Sequence, residues 1–456
     1  MTRACLDTSR SQHYVCPYAI VKSTMLKVIE TFSGIGAQAK ALSNIGANFK
    51  IIGTADWDIH AMIAYDLIHH GKQDLSKYEN STREEMLEKL KKYTLSIDGK
   101  VASDWKNIKN LNIEVLRRVC AAIDRTNNYV SVTDMNGALL PAEMDALTYS
   151  FPCQDLSIGH AWHGATEGID RSAANRSSQL WEIERILKER NASPRAMPKF
   201  LLMENVPNII SRSHSKNFDD WKQSLIELGY YNKFYVLVSS NFGTPQVRKR
   251  AYLMSFFTGG NTKLEAKLDK YFEANNLEDV RQKPNHLSKY MRIDYSVGTF
   301  KQEANDSQPN DTPSRRDIFQ KSVKLFDGSE YSHRVPTITT KQDRRPNSGV
   351  VNYDSKRAGK STFRYLTSRE CLLLMGFEDK DYEVLIENNF KKNATGDFFT
   401  STKITKMAGN SIVVPVLEAV FTQMLYVDQH YLSKAKAEKA IGATDKIKKL
   451  EFAVSI

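Results

Sequence analysis

The sequence predicts an α/β protein built on a doubly wound, mostly parallel sheet, joined to a smaller, loop-rich second domain. Three observations carry this reading. Apolar runs of strand length alternate with helical stretches from Met25 onward, glycine turns separate them, and after Gly259 the composition shifts to Asn, Asp, Ser, Pro and Lys.

Residues 1–24 are polar and patternless and read as an arm. LKVIETF is strand-like, SGIG is a glycine turn, and AQAKALSNIG is a short helix stopped at Gly46. IIGTADW and MIAYDLIHHG repeat the strand and helix, with a second glycine stop. Residues 72–128 are charged and helical in pattern, an insertion between sheet elements. YVSVTD, ALTYSF, KFLLMEN, FYVLVSS and AYLMSFF then resume the sheet as short buried strands, which sets a first domain at 25–260. Over 261–399 the apolar runs are short, as in NDSQPNDTPSRRD, but VPTITT and SGVVNY keep strand character, so this range reads as a second domain rather than a linker. From 400 to 456 the chain returns to the first domain through MAGNSIVVPVLEAVFTQML and ends in a basic helix, AKAEKAIGATDKIKKL.

Composition narrows the function classes. The 456 residues are 41% hydrophobic and 26% charged, no run approaches the ~18 apolar residues of a membrane span, and the start, MTRACLDTSRSQHYVC, has no apolar signal core. The expected location is therefore the cytoplasm, with no membrane partner. Five scattered cysteines, Cys5, Cys16, Cys120, Cys153 and Cys371, include no C-x-x-C pair, which argues against a disulfide framework and a structural zinc site; no metal is expected. A net charge of +11 and a pI of about 9.1 suit a polyanionic partner.

Four short stretches can carry chemistry. Phe32-Ser33-Gly34-Ile35-Gly36 lies between a strand and a helix, with Asp56 at the end of the next strand; this is either a structural turn or a cofactor turn with a carboxylate for ribose hydroxyls. The missing third glycine disfavours a dinucleotide. Pro152-Cys153-Gln154 follows the strand ALTYSF, so Cys153 is either a structural thiol or a nucleophile at a sheet edge, where open α/β sheets place ligands. Glu204 ends the strand FLLM and is a cap, a surface charge or an acid with a raised pKa. In Gln246-Val247-Arg248-Lys249-Arg250, alternation puts Arg248 and Arg250 on one side, facing water or a ligand.

FSGIG, PCQ, ENV, QVRKR and GNSI, in this order, resemble the motif series of the DNA cytosine-5 methyltransferase family. The resemblance runs from Met25 to about Tyr426, apart from the insertion and the variable stretch after 259. It implies a class I, Rossmann-like methyltransferase fold whose 261–399 region is a target-recognition domain. It implies S-adenosylmethionine as cofactor and S-adenosylhomocysteine as product. Phe32 would stack on the adenine, with Gly34, Ile35 and Gly36 against the methionine part, Asp56 on the ribose and Trp57 over the adenine. Asp134 would read the adenine amino group, and Pro152, Leu180, Asn410 and Ser411 would complete the pocket. Cys153, Glu204, Arg248 and Arg250 would be the catalytic set, while RYLTSRECLLLMGF resembles a further family motif in which Cys371 packs. Lys341, Arg344 and Arg345, near the threonine-bearing end of the variable region, are candidates for DNA contact, with a solvated loop as the alternative.

The expected partner is double-stranded DNA and the expected state a monomer, bacterial and active at the nucleoid, with or without a cognate restriction endonuclease acting separately. LTYSFPCQDLS, LWEIER and LLMENV resemble the family members that methylate CG, but the recognition region does not follow their pattern. Two other functions compete: a tRNA cytosine-5 methyltransferase of the same fold, and a non-catalytic DNA-binding relative.

Overall fold

The structure is a computed structural model and describes residues 24–152, 169–171 and 177–434. Its main sheet has six strands: β1 (Leu26–Thr31), β2 (Phe49–Ala55), β3 (Ala146–Tyr149), β4 (Phe200–Asn205), β5 (Tyr230–Val238) and, after the short β6 (Gln246–Val247), β7 (Lys249–Phe257). The spatial order is β2-β1-β3-β4-β7-β5, with β2, β1, β3 and β4 parallel and β7 antiparallel to both its neighbours. This is the expected α/β sheet, mixed by that one reversal. The central strands are buried on both faces, which is why their sequences are nearly continuous apolar runs.

Helices flank the sheet: α1 (Ala37–Asn44), α2 (Ile59–His70), α3 (Ser76–Glu79), α4 (Arg83–Leu90), α5 (Trp105–Lys109), α6 (Ile113–Thr126), α7 (Leu180–Asn191) and α8 (Ser215–Glu227). The region 72–128 thus forms four helices, α3 to α6, and it joins the principal core. Helix α6 repeats Val115, Leu116, Val119, Cys120, Ala122 and Ile123 at helical spacing, and that face is buried in the same cluster as α2.

One expected strand is absent. YVSVTD is preceded by a single bridge, Thr54 to Asn128, and ends in a 3-10 turn at Val132–Asp134. The Asn128 side chain bonds both the amide and the carbonyl of Asp56, and Val130 takes φ 68°, a left-handed conformation that ends any extended run.

Beyond β7 come α9 (Thr262–Ala274), α10 (Gly298–Asp306), α11 (Pro313–Lys321), α12 (Ser368–Leu374) and α13 (Asp379–Glu387), then α14 (Ser401–Asn410) and α15 (Val414–Val427). A small sheet, β8 (Lys324–Phe326), β10 (Val350–Asn352) and β11 (Phe363–Arg364), has its own core of Val350, Phe363 and Tyr365. Strand β9 (Val335–Pro336), from VPTITT, pairs in parallel with β6 instead. Leu268 and Phe272 of α9 and Cys371 and Leu374 of α12 lie in the principal core, so the 261–399 range is anchored in the first domain at both ends. The stretch Ser401–Leu432 is long and apolar enough to cross a membrane, but 72% of its apolar window is buried inside the molecule, and the helix breaks at Ser411. It is a core helix pair.

Candidate active site

Parallel strands deliver their C-terminal ends to one edge, and four adjacent ends meet here. Thr31 is level with Ala55 and Tyr149, and Tyr149 is level with Met203. At about 4.8 Å per strand, Phe32 after β1 and Glu204 near the end of β4 are roughly 10 Å apart across the sheet. Because β7 runs the other way, its first residues, not its last, reach this edge. That brings in Arg250.

The turn after β1 is built on left-handed backbone: Phe32, Gly34 and Gly36 have φ of 53°, 54° and 78°. Phe32, a residue that adopts this conformation rarely, is held by the Ser150 hydroxyl on its carbonyl at 3.4 Å. A Cβ at Gly34 would meet no heavy atom within 4 Å, so the turn faces open space. The Ile35 carbonyl bonds the His69 ring at 3.0 Å, and that ring fills the space where a Gly36 side chain would go. Asp56 accepts the Gly34 amide on one oxygen at 2.8 Å and the Asp58 amide on the other at 2.9 Å. Burial first, then the Asp58 charge, push the Asp56 carboxyl up to about 6. Each of its oxygens keeps a lone pair for a further donor. Trp57 is half-buried beside it. An open glycine turn, an oriented carboxylate and an adjacent indole fit the adenosine and methionine parts of S-adenosylmethionine.

Asp134 is exposed, and its carboxylate faces Thr94, accepting the Thr94 amide at 3.3 Å. Leu180 is fully buried at the start of α7. Asn410 is the last residue of α14, and Ser411 follows it as the cap.

At the other half of the edge, Glu204 is buried and its carboxylate lies 3.2 Å from the Arg250 guanidinium. Burial raises the Glu204 carboxyl, and Arg250 and then Arg248 partly oppose it. Arg248 takes a different path from its strand neighbour. Its guanidinium is buried and donates to the carbonyls of Ile338, Gly409 and Ser411 at 2.9, 3.0 and 3.0 Å, tying β9's exit to the GNSI turn. Cys153 lies outside the described residues, as do the N-terminal arm and the basic tail beyond 434. Pro152, its neighbour, is described, and its place is set from β4: Asn205 donates to the Phe151 carbonyl at 3.1 Å.

Asn205 and Gln246 are two site residues that sequence reasoning passed over, although both stand in the quoted motifs. Fully buried, Gln246 accepts the Ile338 amide at 3.1 Å and donates to the Leu374 carbonyl at 3.0 Å. Cys371 is buried with its thiol pushed up by burial, the state of a packing residue. Lys341, Arg344 and Arg345 form an exposed turn directly after Thr340, with Arg344 on Asp343 at 2.9 Å. Among the described residues no group of three or more His, Cys, Asp or Glu could hold a metal ion.

The sheet with one reversed strand and a glycine turn at its parallel edge is the arrangement of the class I methyltransferase fold. The family model for C-5 cytosine-specific DNA methylase matches residues 113–426. Similar curated proteins include the orphan methyltransferase M.SssI of Spiroplasma monobiae, 31% identical over 88% of this chain and 98% of that protein. Another is the type II methyltransferase M2.ScrFI of Lactococcus lactis subsp. cremoris, 29% identical over 88% of this chain and 99% of that protein. In fold, the chain is similar to the Dnmt2 methyltransferase of S. pombe (TM-score 0.51, 16% identity, 88% of this chain and 99% of that one). It is likewise similar to the methyltransferase EhMeth of Entamoeba histolytica (TM-score 0.52, 17% identity, 89% and 99%). The chain belongs to the DNA cytosine-5 methyltransferase family, whose members draw the methyl group from S-adenosylmethionine.

Proposed function

We propose that this chain methylates C5 of a cytosine within a short sequence of duplex DNA, with Cys153 as nucleophile. The observation that carries the reading is the buried Glu204–Arg250 pair at the strand edge, beside the Asn205 bond that sets Phe151 and Pro152 ahead of Cys153.

C5 of cytosine is a weak nucleophile while the ring is aromatic. The Cys153 thiolate adds to C6, the new S–C6 bond turns C5 into an enamine carbon, and C5 takes the methyl group. When bound, S-adenosylmethionine supplies that electrophilic methyl and leaves as S-adenosylhomocysteine. Glu204, its carboxyl raised by burial, hydrogen-bonds N3 and the amino group, gives N3 its proton as Cys153 adds and takes it back when the C6–S bond breaks. Arg250 fixes the carboxylate and the O2 side of the base. Arg248 acts one step back, by tying the Ile338 carbonyl to those of Gly409 and Ser411 on either side of Asn410. A base then removes the C5 proton, the C6–S bond breaks and the thiolate returns. The ring faces this chemistry needs are covered in a duplex, so the cytosine leaves the stack.

Phe32, Gly34, Ile35, Gly36, Asp56, Trp57, Asp134, Pro152, Leu180, Asn410 and Ser411 are the proposed cofactor contacts. Lys341, Arg344 and Arg345 are the proposed DNA contacts. The enzyme acts as a cytoplasmic monomer, as a modification methyltransferase beside a cognate endonuclease or without one. Duplex DNA carrying 5-fluorocytosine at the target is expected to trap a covalent complex with the wild type and none with Cys153→Ser. Active methylation without a trapped complex would refute the mechanism, and transfer to tRNA alone would overturn the substrate.

A further inference from the structure

The stretch from Thr94 to Ser103 belongs to the inserted helical region, yet its backbone joins the cofactor edge. The Ser96 amide donates to the Trp57 carbonyl at 2.8 Å and the Ile59 amide donates to the Ser96 carbonyl at 3.1 Å, a parallel bridge across Asp58. Two residues earlier, the Thr94 amide donates to the Asp134 carboxylate at 3.3 Å. The loop is also closed on itself. Ser103 bonds the Leu95 carbonyl through its amide at 2.8 Å and accepts the Ile97 amide on its hydroxyl at 2.9 Å, and the Gly99 amide bonds the Ser96 hydroxyl at 2.9 Å.

A cation from a third segment locks it. Lys406, on α14 one turn before Asn410, pairs with Asp58 Oδ2 at 3.2 Å and donates to the Asp98 carbonyl. The side chains of Lys406 and Asp58 are only 17% and 12% exposed, so water screens the pair weakly. Gly99 sits against it with φ +64°; a Cβ there would overlap both the Asp58 carboxylate and the Lys406 ammonium. The segments that carry Asp56 and Trp57, Asp134, and Asn410 and Ser411, read above as parts of one ligand site, therefore all attach to one ten-residue loop, the last of them through Lys406.

We propose that this loop is a wall of the S-adenosylmethionine site, in which Lys406 and Gly99 are positioning residues that set Trp57 and Asp134 for the adenine end. The inference rests on the cofactor reading of those two residues. An insertion serving only as packing would need the buried faces of α4 and α6; backbone pairing with the Trp57–Ile59 turn goes beyond that.

The test uses the full chain and measures S-adenosylhomocysteine binding by calorimetry, thermal stability, and the steady-state constants for cofactor and DNA. Lys406→Met and Gly99→Ala are expected to weaken S-adenosylhomocysteine roughly five- to tenfold, the size of one ordinary net hydrogen bond, and to raise the cofactor KM alike. The DNA KM, and kcat at saturating cofactor, should stay within about twofold. Lys406→Arg should recover most of the affinity, and Lys91→Met, at the exposed residue that caps the end of α4, should leave it unchanged. Unchanged S-adenosylhomocysteine affinity in the first two variants, with a lower melting temperature, would show a structural staple and overturn the inference while the cofactor reading stands. A wild type that binds no S-adenosylhomocysteine would overturn both.

Discussion

Glu204 and Arg250 show what a single pair can decide. Their partnership is buried, so removing one member strands the other: Arg250→Met leaves the Glu204 carboxylate without its neutralising charge and pushes its pKa further up. Glu204→Gln keeps the shape but loses the charge that supports a protonated ring. We expect kcat to fall at least ~100-fold, with S-adenosylhomocysteine affinity within about twofold, measured by single-turnover methyl transfer and calorimetry. Glu30 gives a pH prediction at the same scale. It is fully buried in β1, takes a hydrogen bond from the Tyr65 hydroxyl at 2.7 Å, and its carboxyl is pushed up to about 7 by burial. The folded state thus holds this proton more tightly than the unfolded chain, which releases it near the ordinary glutamate value. Its contribution to stability is complete below that value and is lost as pH rises through 7, by roughly 3 kcal/mol. Denaturant melts from pH 4.5 to 8 should show this decline in the wild type and a shallower one in Glu30→Gln. An equally steep decline would place the titrating group elsewhere.

At the scale of elements, the junction between the variable region and the edge depends on buried polar groups. Arg248 supplies donors to three carbonyls from two segments, and Gln246 bridges β9's exit to the end of α12. Gly409 lets the chain pass at closest range, since a Cβ there would lie 2.5 Å from the backbone of Thr339 and Thr340. Arg248→Met strands those carbonyls in a buried site and should cost about 2–4 kcal/mol in urea melts. Gly409→Ala should cost a similar amount through overlap with backbone, which has little room to move. The elements themselves were largely legible. LKVIET, ALTY and FLLMEN are strands whose two buried faces favour mostly apolar residues, and Thr82 and Thr367 start helices as capping boxes with Glu85 and Glu370. YVSVTD misled because its alternation is satisfied by a turn and by Asn128 side-chain bonds, which no local pattern reveals.

For the whole molecule, charge and burial act at long range. A net charge of +11 and an exposed turn of Lys341, Arg344 and Arg345 after Thr340 predict strongly salt-dependent DNA binding. The slope of log K against log salt should shrink by about one for each of these residues that contacts a phosphate, when replaced by alanine. An unchanged slope in the triple variant would assign the turn to solvent. By itself the sequence determined the family, the strand-helix alternation and the chemical types at the edge, because those depend on local periodicity and on short motifs whose residues are consecutive. Tertiary structure decided the rest. The reversal of β7 brought Arg250 to Glu204, Arg248 turned inward to the carbonyls of distant segments, and the charged insertion joined the principal core with its loop on Trp57. Each of these pairs residues distant in the chain, and such pairings follow from how the whole core closes, which no window of neighbouring residues records.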